Sequence, residues 1–209
     1  VPRVILFDVD GVLVDGFHAR PANFKRWDAF LASDLNIDPV AFSEKFIRPI
    51  YTPDVLTRRR SLVNALEEAI PTLGYKGSAM DIIGAWMGRE TVLNHALLEL
   101  IGKLRASGAA RPIIASNQED VRAYHLWSNL GLHLHFDDML YSARLGAAKP
   151  DPAFFAAVDR YLGPQAEPPL FFDDYESIAA AASAHGWEGV VYDTKRDVED
   201  HPWIKAQLG

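Results

Sequence analysis

Cysteine is absent from all 209 residues. Disulfides, thiolate nucleophiles and thiolate metal sites are therefore excluded. No apolar run approaches the length needed to span a membrane. The apolar start is cut off by Asp8 and is too short for a signal peptide. Positive charge is scarce as well: 21 Lys and Arg against 28 Asp and Glu leave a formal charge of −7. That balance argues against a nucleic-acid partner reached through a basic surface, and an anionic substrate would need local positive charge. Low-complexity segments and internal repeats are missing, and strand signals are missing between about residues 17 and 110. Together these absences predict a soluble cytoplasmic protein with no membrane partner, and the 49% of hydrophobic residues suits an ordinary globular chain.

The segment "VILFDVDGVLVDG" (4–16) is the first positive signal. A short apolar run reads as a buried strand. It ends in Asp8, and Asp10 follows at the spacing that returns to the same side of a strand. Two neighbouring carboxylates repel unless a proton or a cation lies between them.

Beyond it the apolar pattern turns helical. Phe24, Trp27 and Leu31 fall at helical spacing, as do Phe42, Phe46 and Ile50, then Leu62, Leu66 and Ala69. A break at "IPTLGYKGS" (70–78) precedes a further helix through Trp86. From residue 90 strands and helices alternate: "NHALLELIGKLRASG" helical, "RPIIASN" a strand, "VRAYHLWSNLG" helical, and "DMLYSA" a weak strand. "KPDPAFFAAVDRYLG" is helical, "PLFFDD" is a strand, "SIAAAASAHG" is a helix closed by Gly186, and "GVVYD" is the last strand before a helical tail. Such alternation predicts an α/β fold, a Rossmann-like parallel sheet covered by helices. The expected division is a discontinuous core of residues 1–16 and 90–209, with an inserted all-α domain at 17–89. Leaving the core directly after the first strand, the insert would lie above the carboxyl ends of the strands, where open α/β sheets bind ligands.

Because all strand ends of a parallel sheet emerge at one edge, Asp8, Asp10, Ser116, Asn117, Lys149, Asp173 and Asp174 are expected to converge. Four acids and one lysine around a crevice suggest a divalent cation with oxygen ligands, Mg²⁺, together with a phosphate. Singly, each signal has a plain alternative: "DG" as a hairpin turn, "DD" as a solvated loop end. Their order along the chain favours a site.

Four of these segments resemble the haloacid dehalogenase-like hydrolases. "DVDGVLVD" is similar to that family's first motif, "IIASN" to its second, "AAKPDP" to its third and "LFFDD" to its fourth. The insert is placed like the family's helical cap. The resemblance implies a Mg²⁺-dependent phosphatase of a small phosphorylated metabolite, working through an aspartyl-phosphate. Asp8 would be the nucleophile. Asp10 would be the general acid and then base, its backbone carbonyl also binding metal. Ser116 would hold phosphoryl oxygens with Asn117 close by, and Lys149 would offset charge. Asp8, Asp10, Asp174 and Asp173 would form the metal set, Asp173 directly or through water. The pattern departs from the family at Tyr175, often serine, and at Ile178, often Asn or Asp. A phosphomutase would use the same residues. A dehalogenase would not retain Asp10, because a halide leaves without a proton.

Weaker signals complete the reading. Arg58-Arg59-Arg60 reads as a solvated face rather than an anion clamp. His133 and His135 lack a third ligand. Asn23 is a candidate to face the substrate, Trp27 reads as core of the insert, and no context singles out Lys25, Lys45 or Lys76 for imine chemistry.

Overall fold

The computed structural model describes residues 1–15, 18–20, 28–89 and 91–208. Asn23, Phe24, Lys25 and Trp27 lie outside them. The main sheet contains β1 (Arg3–Phe7), β4 (Ala110–Ser116), β5 (Asp138–Tyr141), β6 (Leu170–Asp173) and β7 (Glu188–Val191), in the order β5-β4-β1-β6-β7. Every neighbouring pair is parallel, with Ile5 registered between Pro112 and Leu170, and Phe7 between Ile114 and Phe172. The first strand is buried along its whole length, as expected of a central parallel strand covered on both faces.

The pleat divides that strand between two cores. Ile5 and Phe7 pack with Leu97, Ile101 and Phe172 on one face, while Val4 and Leu6 pack with Ile113, Phe154 and Phe171 on the other. Helices α5 (His95–Ala106) and α11 (Pro202–Leu208) contribute to the first core; α8 (Pro152–Leu162) and α9 (Glu176–His185) contribute to the second. Gly186, at φ 106°, closes α9 as its position predicts.

Between β2 (Val14–Asp15) and β3 (Val92–Leu93) lies the helical segment, which has a core of its own. Leu31 in α1 (Ala29–Leu35), Leu62, Leu66 and Ala69 in α3 (Leu62–Leu73), and Ile82 and Trp86 in α4 (Ala79–Arg89) meet there with Phe42 and Phe46. Helix α2 begins at Pro39–Phe42, with the Asp38 carboxylate accepting from Val40 N at 3.0 Å. It continues in wider π-type turns over Ser43–Val55, where Pro49 and Pro53 lack the N–H that a regular turn uses. Pro71 does not end α3, which runs on to Gly74 at φ 70°. The short antiparallel β2–β3 ribbon closes the segment at its base. A two-residue strand has no periodicity to read, so the sequence offered no sign of it. Among the described residues no helix is long and apolar enough to cross a membrane.

Candidate active site

The turn after β1 aims its two acids. The Val9 carbonyl accepts from the N–H groups of Val12, Leu13 and Val14 at 3.2, 2.8 and 2.9 Å, and Gly11 sits at φ 77°, where a Cβ would be strained. Asp8 N–H donates to Phe172 O at 2.9 Å, locking the turn against β6. Strand β6 in turn ends at Asp173, with Asp174 next.

Lys149 joins the two strand ends. Its ammonium lies 2.9 Å from Asp8 Oδ1 and 2.6 Å from Asp173 Oδ2, and all three side chains are buried. Ions removed from water at this depth need close partners. Burial acts to lower the lysine pKa, yet Asp173 and Asp8 hold it above its ordinary value. The lysine's backbone is anchored by Asn117, which donates from Nδ2 to Lys149 O at 2.9 Å and accepts Lys149 N–H on Oδ1 at 2.8 Å. Asn117 therefore positions the lysine through its side chain.

Three buried carboxylates, Asp8, Asp173 and Asp174, bring one oxygen each to within 4.8 Å of one another. Burial, reinforced by Asp173 and Asp10 and opposed by Lys149 and Ser116, pushes the Asp8 pKa up to about 6. Burial, then the charge on Asp8, pushes Asp174 up to about 7. Asp173 is fully engaged, its Oδ1 accepting Tyr175 N–H at 2.9 Å and its Oδ2 facing Lys149. Asp174 differs. Its Oδ2 accepts Ala19 N–H at 2.6 Å, while its buried Oδ1 has no hydrogen-bond partner among the described residues. His18 Nδ1 is 3.7 Å from Asp174 Oδ2 but accepts Arg20 N–H at 2.9 Å. It therefore carries no proton on that nitrogen, and burial lowers its pKa. An unpaired carboxylate oxygen beside two further acids suits a hard divalent cation, which takes oxygen ligands.

Asp10 is held apart from that cluster. Arg122 Nη2 donates to its Oδ1 at 2.5 Å, and Gln118 Nε2 donates to its Oδ2 at 2.6 Å. Both donors are buried. Neither was anticipated, although "SNQED" is an unusually polar run to follow a buried strand, and that was the available signal. Arg122 is set by α6 (Asp120–Tyr124), whose N-terminus is capped by the buried Glu119 accepting from Val121 N and Arg122 N at 2.7 and 2.6 Å. Ser116 lies at the end of β4, where its hydroxyl acts to lower the Asp8 pKa.

A cavity of about 710 Å³ opens over these groups, with Asp8, Asp10, Ser116, Asn117, Lys149 and Asp174 on its floor and residues of the helical segment as its roof. Among the described residues, the weaker candidates do not line it. Arg58 and Arg60 lie exposed in the turn before α3, Arg58 paired with Asp120 and Arg60 with Asp54 and Glu68. His133 Nδ1 is bonded to Trp127 O at 2.7 Å, in an exposed setting.

A sequence profile of "haloacid dehalogenase-like hydrolase" matches residues 2–186, a span that contains every one of these groups. The chain belongs to the haloacid dehalogenase-like hydrolases. Among curated relatives of this hydrolase, a GMP/IMP nucleotidase of Escherichia coli is 33% identical over 48% of this chain and 45% of its own length. A phosphatase of Mycobacterium tuberculosis is 31% identical over 46% and 44%. The matched stretch thus spans about half the length of these curated relatives. The fold is shared with a haloacid dehalogenase family enzyme of Bacteroides thetaiotaomicron solved with magnesium and inorganic phosphate, at TM-score 0.71, 20% identity and coverage of 91% and 94%. It is also shared with an L-2-haloacid dehalogenase of Xanthobacter autotrophicus, at TM-score 0.60, 19% identity and coverage of 90% and 76%.

Proposed function

We propose that this hydrolase is a Mg²⁺-dependent phosphatase of a small phosphomonoester, with residues 17–89 acting as a helical cap over a core of 1–16 and 90–209. The observation that carries the reading is the buried lysine-bridged carboxylate set, in which Asp174 Oδ1 has no partner among the described residues. The names of the nucleotidase and phosphatase relatives support a phosphate ester.

Asp8 attacks phosphorus through a carboxylate oxygen, the ester P–O bond breaks, and the leaving oxygen takes a proton from Asp10. Water then attacks the aspartyl-phosphate and gives its proton to Asp10, which releases phosphate and restores the Asp8 carboxylate. Gln118 and Arg122 fix the Asp10 carboxyl by one oxygen each, so that its orientation does not depend on the substrate. Lys149 and Ser116 meet the phosphoryl oxygens, Asn117 keeping the lysine in place and lying beside the bound group. Asp8, Asp174 and the Asp10 carbonyl would hold Mg²⁺, with Asp173 contributing through water because both of its oxygens are engaged. The cation would supply charge neutralisation between Asp8 and the phosphoryl group. Asp10 favours this reading over carbon–halogen cleavage, since two buried donors maintain an acid that a halide leaving group does not need.

The test is phosphate release from a panel of phosphomonoesters with Mg²⁺, with excess chelator, and with Asp8→Asn. Release should require Mg²⁺ and vanish in the folded Asp8→Asn variant. Undiminished release in chelator, or from Asp8→Asn, would overturn the mechanism.

A further inference from the structure

We propose that the leaving group ends in a flat aromatic ring system, joined to the phosphate through a short spacer such as a pentose, rather than being a bare sugar. The inference rests on the phosphatase reading for where the phosphoryl group lies, and on the cavity roof for the rest.

If the phosphoryl group is at Asp8, Ser116 and Lys149, the ester's other half fills the remainder of the 710 Å³ cavity, under the helical segment. Among the described residues that roof consists of apolar and aromatic side chains: Phe30, Ile47, Tyr51, Leu56 and Trp86, with Thr52 the exception. Tyr51 and Trp86 touch, with ring centroids 5.4 Å apart and planes at 42°. Their backs are packed on Phe46 and Phe42, which are fully buried. The aromatic wall is thus a stiff surface set by the segment's own core, rather than a set of side chains free to move aside.

The core side of the cavity is mixed, with Asp15 and Ser177 among its polar lining residues. Val14 and Val92 line its edge. Ile178 and Tyr175 line it too. Of the polar side chains below, Asn117 is bonded to Lys149, and Gln118 and Arg122 each give one hydrogen bond to Asp10. A bare hexose reaching the roof would set hydroxyls against Phe30, Ile47 and Leu56, and unpaired buried hydroxyls are penalised. An aromatic ring would lose no hydrogen bond there and would gain a face on Tyr51 or Trp86. Burial and the nearby Glu119 raise the Tyr51 pKa, so its hydroxyl stays neutral and the ring carries no charge to repel an electron-rich partner.

The discriminating pair is a purine nucleoside 5′-monophosphate against ribose 5-phosphate. Both present the same primary ester oxygen on the same sugar; only the base differs. Binding of each to Asp8→Asn with Mg²⁺, measured by calorimetry, reads recognition without turnover. The nucleotide is expected to bind about 10–100-fold more tightly, the range typical of base stacking on an aromatic side chain. In the active enzyme Trp86→Leu should lower kcat/KM for the nucleotide by about tenfold more than for ribose 5-phosphate. Trp86 is buried in the segment's core, so Ile47→Asn, at a half-buried position on the roof, provides a second variant with the same expected direction. Equal binding of the two esters, or equal losses in both variants, would overturn the aromatic assignment while leaving the phosphatase intact. The converse is equally readable: no phosphate release from any ester, with the nucleotide still preferred by Asp8→Asn, would remove the phosphatase reading and retain the ligand class.

Discussion

Asn117 and Lys149 are bonded to each other twice, the asparagine amide giving a hydrogen bond to the lysine carbonyl and receiving one from the lysine N–H. The loop that carries Lys149 is thereby tied to the end of β4, although 32 residues separate the two positions. A lysine ammonium at the end of a flexible side chain is only as well placed as its own backbone.

Asn117→Ala removes both bonds and leaves a backbone N–H and C=O to find other partners. The expected loss of stability is about 1–3 kcal/mol, the range for orphaned polar groups. Phosphatase activity should fall with kcat more than KM, because misplacement affects charge that develops in the transition state. Asn117→Asp keeps the acceptor and loses the donor, so it should lie between wild type and Ala in thermal unfolding and in phosphate-release kinetics.

Lys149→Met leaves Asp8 and Asp173 buried without their shared cation. Breaking a buried ion pair from one side typically costs about 3–5 kcal/mol. For a chain of this size that is roughly 6–20 °C in Tm. A melting temperature within 2–3 °C of wild type, about the shift from 1 kcal/mol, would show that the ammonium does not neutralise these acids.

Metal-free protein should lose stability as pH rises. Asp8 and Asp174 have folded pKa values of about 6 and about 7, above the ordinary 3.8. Below pH 3.8 both states hold the protons and nothing is gained or lost. From there up to about 7 the folded state binds protons that the unfolded state has released, so the acids destabilise the fold progressively, and fully above 7. A cation that binds only the folded carboxylates reverses the effect. The Tm increase on adding Mg²⁺ should therefore be larger at pH 8 than at pH 5.5, and Asp174→Ala should abolish more of it than Asp173→Ala. A Mg²⁺ shift independent of pH would contradict the assignment.

Asp10→Asn separates the two proton transfers. An alkyl phosphate needs the leaving oxygen protonated, whereas p-nitrophenolate leaves unaided. The variant should hydrolyse alkyl phosphates far more slowly, yet give a burst of nitrophenolate followed by a slow steady state, with the phosphate adduct on Asp8 visible by intact mass. Arg122→Met, which frees one Asp10 oxygen, should lower kcat for alkyl phosphates more than for the aryl ester. Equal slowing of both esters, with no burst and no adduct, would remove Asp10 from the acid/base role.

Much of the site was legible before folding was considered. Strand polarity is local: an apolar run followed by acids, as in "VILFD" and "LFFDD", already says that Asp8, Asp173 and Asp174 stand at strand ends, and parallel strands bring such ends to one edge. The core of the helical segment was legible for the same reason, since Phe42, Phe46, Leu62 and Leu66 recur at helical spacing and are buried. Other features depend on partners far away in sequence. Strand order is set by which faces pack, and no single strand records its neighbours. Gln118 and Arg122 meet Asp10 across 108 and 112 positions, and nothing local in "QEDVR" distinguishes a buried donor from a solvated one. The pair of hydrogen bonds between Asn117 and Lys149, the β2–β3 ribbon and the Asp174 oxygen without a partner among the described residues share that character. Each is a relation between backbone positions that periodicity cannot encode, because a hydrogen bond depends on distance and direction between its two ends and a residue type specifies only one of them.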